Sequence, residues 1–168
     1  MLLDRGADVD FIDRSTLNVW NAAVPHDAIR AAVFSCRYGV DAAMPGEPAR
    51  VEIMHTGERF DEAFGVLERM LALGADPSAT DSYGNPALMR AILDSRQVLH
   101  DLALPDRDAD LGRVFALLLA AGADPEWVDP RRDLRLADLF AYEAVSEFLP
   151  AKTGRNCQVL SHPLAADQ

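Results

Sequence analysis

The sequence predicts an all-α chain: a solenoid of about four degenerate helix-turn-helix units, with turns that project like fingers and a loop insertion in the third unit. Three observations carry this reading. The wording Gly-Ala-Asp closes three apolar stretches, at Gly6, Gly74 and Gly122, and the apolar residues ahead of it recur at helical spacing. A third is that 49% of the 168 residues are apolar, enough for one sizeable core and a single domain.

The three turns lie 68 and then 48 residues apart. A weaker copy, Gly39-Val40-Asp41 in "FSCRYGVDA", divides the first gap, so the steps become 33, 35 and 48; the first two fit a repeat of about 33 residues. In each turn the Gly supplies the left-handed C-cap conformation that a side chain makes costly, and the Asp can accept from nearby backbone amides. A second Asp follows five residues further on, at Asp13, Asp81 and Asp129, placed to organise a second turn before the next helix; the weak copy has Gly46 there.

Helices are expected on either side of the turns. Val114, Leu117, Leu118 and Ala121 in "VFALLLAAG", and Phe64, Leu67, Met70 and Leu71 in "FGVLERMLALG", give each second helix one buried stripe. Shorter apolar segments, "LNVWNAAV", "RVEIMHT", "NPALMRAIL" and "LRLADLFAY", are read as the first helices.

With these residues in view the chain resembles the ankyrin-repeat family, whose turn and first-helix wording is matched by "GADPSATDSYGNPALMRA" at Gly74, Ala75, Asp76, Asp81, Gly84, Leu88 and Ala91. Pro86, Ala87 and Met89 stand at the family's Thr, Pro and His positions. Trp20, Ile53 and Leu136 take the Leu position in the other units, and Arg132 replaces the Gly of the last. The resemblance spans roughly residues 2 to 149, so the expected organisation is a repeat domain over 1–149 and a tail over 150–168. The third step is about fifteen residues too long, and the surplus is placed at 95–110 as a loop or extra helix. "MLLDRGADVD" opens in what should be the tail of a second helix, which leaves a missing upstream unit or an uncapped first unit as the alternatives.

Chemistry-bearing patterns are few. Asp106, Asp108 and Asp110 alternate as in a calcium loop, but the Gly falls one place late and Leu117 occupies the position that needs a bidentate Glu, so a solvated loop with Asp110 capping a helix from Leu111 is the expectation. His26, His55, His100 and His162 form no metal or catalytic pattern; His26 with Asp27 reads as a capping turn. No nucleophile elbow or phosphate loop occurs, and no enzyme activity, cofactor or metal is expected. Two cysteines exclude a disulfide framework: Cys36 reads as core and Cys157 as a tail residue. With no secretory or membrane-spanning segment in the sequence, a cytoplasmic protein is expected.

The resemblance implies a function by binding another protein. Its variable positions are Phe11, Ile12, Arg14, Ser15 and Leu17 in the first finger, Met44 and Pro45 in the second, Thr80, Ser82, Tyr83 and Asn85 in the third, and Glu126, Trp127, Val128, Arg131 and Asp133 in the fourth. Trp127 is open between anchoring a partner and packing on its neighbours, whereas Trp20 is expected to be buried. The net charge of -11 disfavours nucleic acid and favours a basic protein partner. The expected role is therefore an acidic inhibitor of the bacterial immunity or antitoxin type, acting as a monomer or weak homodimer on a basic effector or toxin. The alternative is a structural or adaptor fragment that self-associates or belongs to a longer array.

Overall fold

The computed structural model describes residues 5–6, 24–36, 39–41, 51–53, 56–99 and 105–150, and the chain they form is mostly helical. Spacing of apolar residues explains the two longest helices. Helix α2 (Gly57–Ala72) buries Phe60, Phe64, Leu67 and Met70, one stripe at three- and four-residue intervals, and the Thr56 hydroxyl caps its start by accepting from the Arg59 amide at 3.4 Å. Helix α4 (Pro105–Ala120) buries Leu111, Val114, Phe115 and Leu118 in the same manner, with proline at its first position, where no intrahelical amide is needed.

Helix α3 (Ala87–Val98) differs in being covered on nearly every side: Ala87, Leu88, Met89, Ala91, Ile92 and Val98 are buried, and so are Arg90, Asp94 and Ser95. It lies at the centre because α1 (Val24–Phe34) packs on one side of it and α4 on another, while α2 packs against α1. Cys36, just past α1, is buried as expected. The chain closes with a four-residue helix, α5 (Leu136–Leu139), and a 3-10 turn (Ala144–Phe148) that packs on α3 and α4 and stacks Phe148 on Phe115 with ring centroids 5.3 Å apart. On the outer side Arg113 of α4 bonds Asp61 of α2 at 2.6 Å, and its guanidinium lies over Phe60 and Phe64.

Three expectations are corrected. "RVEIMHT" was expected to begin a helix after a turn at Gly39; instead Gly39–Asp41 and Val51–Ile53 are strands β1 and β2, paired antiparallel with Gly39 opposite Ile53. Val40, Val51 and Ile53 are β-branched, and a segment this short has no helical period to outweigh that preference. Among the described residues, α1 and α2 are therefore partners with a hairpin between them. Of the loop or extra helix expected for the surplus at 95–110, the described residues are mostly helix, and it is the acidic loop that is corrected. Helix α3 runs to Val98 and α4 begins at Pro105, so the alternating Asp106, Asp108 and Asp110 sit on a helix and cannot wrap an ion as a loop would. Asp110, finally, does not cap: it is 1% exposed, in the second turn of α4.

A second two-stranded ribbon, β3 (Val128–Asp129) and β4 (Leu134–Arg135), precedes α5. Leu118 lies where α4 meets the core and is fully buried. Leu118→Ala should cost about 2 to 5 kcal/mol in urea unfolding, the range for a buried leucine that leaves a cavity.

Candidate functional site

The turns that follow α2 and α4 are the same object built twice. Gly74 and Gly122 have φ of 95° and 96°, the left-handed region that glycine occupies without strain. Around them the hydrogen bonds repeat at a 48-residue offset. The Gly74 amide donates to Leu71 and the Ala75 amide to Met70; the Gly122 amide donates to Leu119 and the Ala123 amide to Leu118. This is the paired bond pattern that closes a helix through a left-handed glycine. One step on, Asp76 accepts from the Ser78 amide at 2.8 Å and Asp124 from the Glu126 amide at 2.9 Å.

The second aspartate of each turn also repeats. Asp81 Oδ1 accepts from the backbone amides of Tyr83 and Asn85, both at 2.9 Å, and Asp129 Oδ1 accepts from the Arg131 amide at 2.9 Å. The left-handed residue that follows is Gly84 in the first turn, at φ 77°. In the second turn, where Arg132 replaces the glycine, Asp133 takes that conformation instead, at φ 53°. The turn is thus one residue longer, and aspartate is among the few side chains that accept a left-handed backbone.

The two turns differ in what neutralises the aspartate. Asp81 is sealed from solvent and faces inward: Asn85 Nδ2 donates to it at 3.0 Å and Arg90 Nη2, from α3, at 2.6 Å. Burial pushes its carboxyl up, but the hydrogen bonds from Asn85, Arg90 and Tyr83 outweigh this and hold it below the ordinary value. Asp129 relies on its own turn, with the Arg131 amide as the main cause of its lowered value and the Arg132 guanidinium at 2.6 Å as a further one. The turns are joined where Arg131 Nη2 donates to Asn85 Oδ1 at 3.1 Å.

Helix α1 reaches the same place. His26 Nε2 donates to the Ala79 carbonyl at 2.9 Å, so the proton of the neutral ring is on Nε2 and Nδ1 is an acceptor, with no partner among the described residues. The ring is buried within α1; it is not the capping turn expected at this position. Burial lowers its pKa, against the opposing pull of the Ala79 bond and the Asp81 charge.

The expected site residues divide accordingly. Thr80, Ser82 and Tyr83 are exposed on the first turn, with Tyr83 at 43%; Glu126, Val128, Arg131 and Asp133 are exposed on the second. Trp127 is half-buried and packs against the core. Asn85 is corrected: it is 5% exposed, because its side chain bridges Asp81 and Arg131. Arg131 reaches solvent yet holds both Asn85 and Asp129, so it shapes the turn as well as facing outward. Phe11, Ile12, Arg14, Ser15, Leu17, Met44 and Pro45 lie outside the described residues, as does Trp20. The sequence reading missed Arg90, Asp94 and the inward role of His26, and also Leu134, 43% exposed and opposite Asp129 on the ribbon. An arginine inside an apolar helix, nine residues after a turn aspartate, was the available signal.

No helix among the described residues is long and apolar enough to cross a membrane. Comparison with protein-family models, with curated proteins and with solved structures gives no match to this chain.

Two outcomes are expected of this geometry. Asp81→Ala leaves the Arg90 guanidinium buried with less than its due of negative charge and should cost about 3 to 5 kcal/mol in chemical unfolding, more than Asp129→Ala, whose arginines remain in water. His26, with its folded pKa below the ordinary 6.5, gives stability that is present above pH 6.5 and lost as pH falls through the folded value. His26→Gln should flatten that part of the stability-against-pH curve.

Proposed function

We propose that this chain is an ankyrin-type repeat module that binds another protein through its turns, and that it acts as an acidic inhibitor of a basic effector. The observation that carries the reading is the division of labour in the turns. Glycine, aspartate and buried Asn85 set the backbone, while Thr80, Ser82 and Tyr83 stand outward on the surface of the turn. Tyrosine there offers a large amphipathic contact at small entropic cost.

The charge of the second turn supports the choice of partner. Arg131 and Arg132 are both ion-paired to Asp129, and Arg135 to Glu126 and Asp138, so its cations are already neutralised. Asp124 and Asp133 are exposed beside them. Together with the -11 charge of the chain, this favours a cationic surface and a salt-sensitive association rate.

The full chain used as bait at low and moderate salt should retain one basic protein, and calorimetry with that purified protein should give a 1:1 complex. Tyr83→Ala should weaken the complex at least tenfold while changing stability by no more than about 0.5 kcal/mol. Recovery of only the chain itself would favour the self-associating adaptor. A complex unaffected by both Tyr83→Ala and Ser82→Arg would place the interface away from these turns.

A further inference from the structure

Asp94 stands one helical turn beyond Arg90 on α3 and is fully buried, yet among the described residues neither carboxylate oxygen receives a well-formed hydrogen bond. Its nearest cation is Arg90, whose Nη1 lies 3.5 Å from Oδ1, while the same guanidinium is held at 2.6 Å by Asp81. Two carboxylates thus face one buried cation. If both ionise, the seam between α1 and α3 carries an uncompensated negative charge out of water, whereas one neutral acid and one ion pair leave it balanced. Asp81 has the backbone amides and Asn85 to hold its charge, so Asp94 is the one that keeps the proton.

We propose that Asp94 is a protonation-controlled latch on the turn: its neutral carboxyl leaves Arg90 clamped on Asp81, and its ionisation draws Arg90 along α3 and loosens the turn at Tyr83 and Asn85. The inference rests on this packing alone and goes beyond the proposed binding role, holding whether or not the turns meet a partner.

The surrounding charges agree with this assignment. Burial raises the Asp94 pKa, and Asp27 of α1 adds to the rise, while Arg90 and Arg30 of α1 oppose it without cancelling it. Burial holds His26, the other titratable group on the α1 side, below its ordinary value, which disfavours its cationic form. From α4 the buried charged groups are Arg107 and Asp110; Arg107 is committed to Asp108 and to the Val98 carbonyl. On the C-terminal side Glu143 is paired with Arg96, so among the described residues Arg90 is the buried cation at ion-pair distance from Asp94, with Arg30 adding only its charge. A carboxyl whose folded pKa is raised contributes stability that is fully present below its unfolded value, 3.8, and lost as pH rises through the folded value.

The test is a pH titration of the intact protein by NMR, following the Asp94 carboxyl carbon and the backbone amides of Tyr83 and Asn85. The expected result is an Asp94 midpoint above 3.8, the same midpoint in both amides, and loss of that amide step in Asp94→Asn, which should also remove the decline in stability over that window. The carboxyl signal is read on the unaltered chain, so the test does not depend on the variant folding. An Asp94 midpoint at or below 3.8, or turn amides that stay still while Asp94 titrates, would overturn the latch. So would an amide step that survives in Asp94→Asn.

Discussion

The buried contact between Arg90 and Asp81 is the constraint on which the rest of the structure depends. Arg90 lies on the enclosed part of helix α3, so it cannot reach water as Arg96 does and must find negative charge inside the protein. The nearest supply is the turn that precedes the helix. Binding Arg90 fixes where Asp81 points, and the amides of Tyr83 and Asn85 then close on the same carboxylate. A surface turn is thereby tied to the centre of the core. The side chains that face solvent on it are presented by a backbone with few ways to move, which lowers the ordering cost of any contact they make.

The second turn shows how much of this geometry survives a change of residues. Its glycine cap and first aspartate repeat those of the first turn bond for bond. Its second aspartate has no arginine from a following helix; Arg131 and Arg132 of the turn itself serve, and Asp133 supplies the left-handed residue one position late. The bridge from Arg131 to Asn85 then sets one turn beside the other. With His26 of α1 joined to Ala79, a chain of polar contacts runs from α1 through the first turn to the second.

Local chemistry made the turns legible in the sequence. A glycine that must take positive φ and an aspartate that caps nearby amides act within a few residues, so the wording alone located Gly74, Gly122, Asp81 and Asp129. The stripes of α2 and α4 were legible for the same reason. What escaped depended on contacts distant in sequence or on segments too short to have a period. Val51–Ile53 is a strand because it finds Gly39–Asp41 across a hairpin, which no count over seven residues reveals. Asn85 looked like a free position, yet Arg131, 46 residues away, and Asp81 both claim its side chain. Asp110 looked like a cap because the helix was expected to start at Leu111; the proline at 105 begins it six residues sooner and carries Asp110 into the core.

Native-state amide exchange, read residue by residue across the first turn, tests the central claim most directly. If the Arg90–Asp81 contact ties the turn to the core, the Tyr83 and Asn85 amides should exchange only with the opening that releases Leu88 and Ile92 in α3. Exchange of those two amides at the rate of a free loop, with α3 still protected, would contradict it.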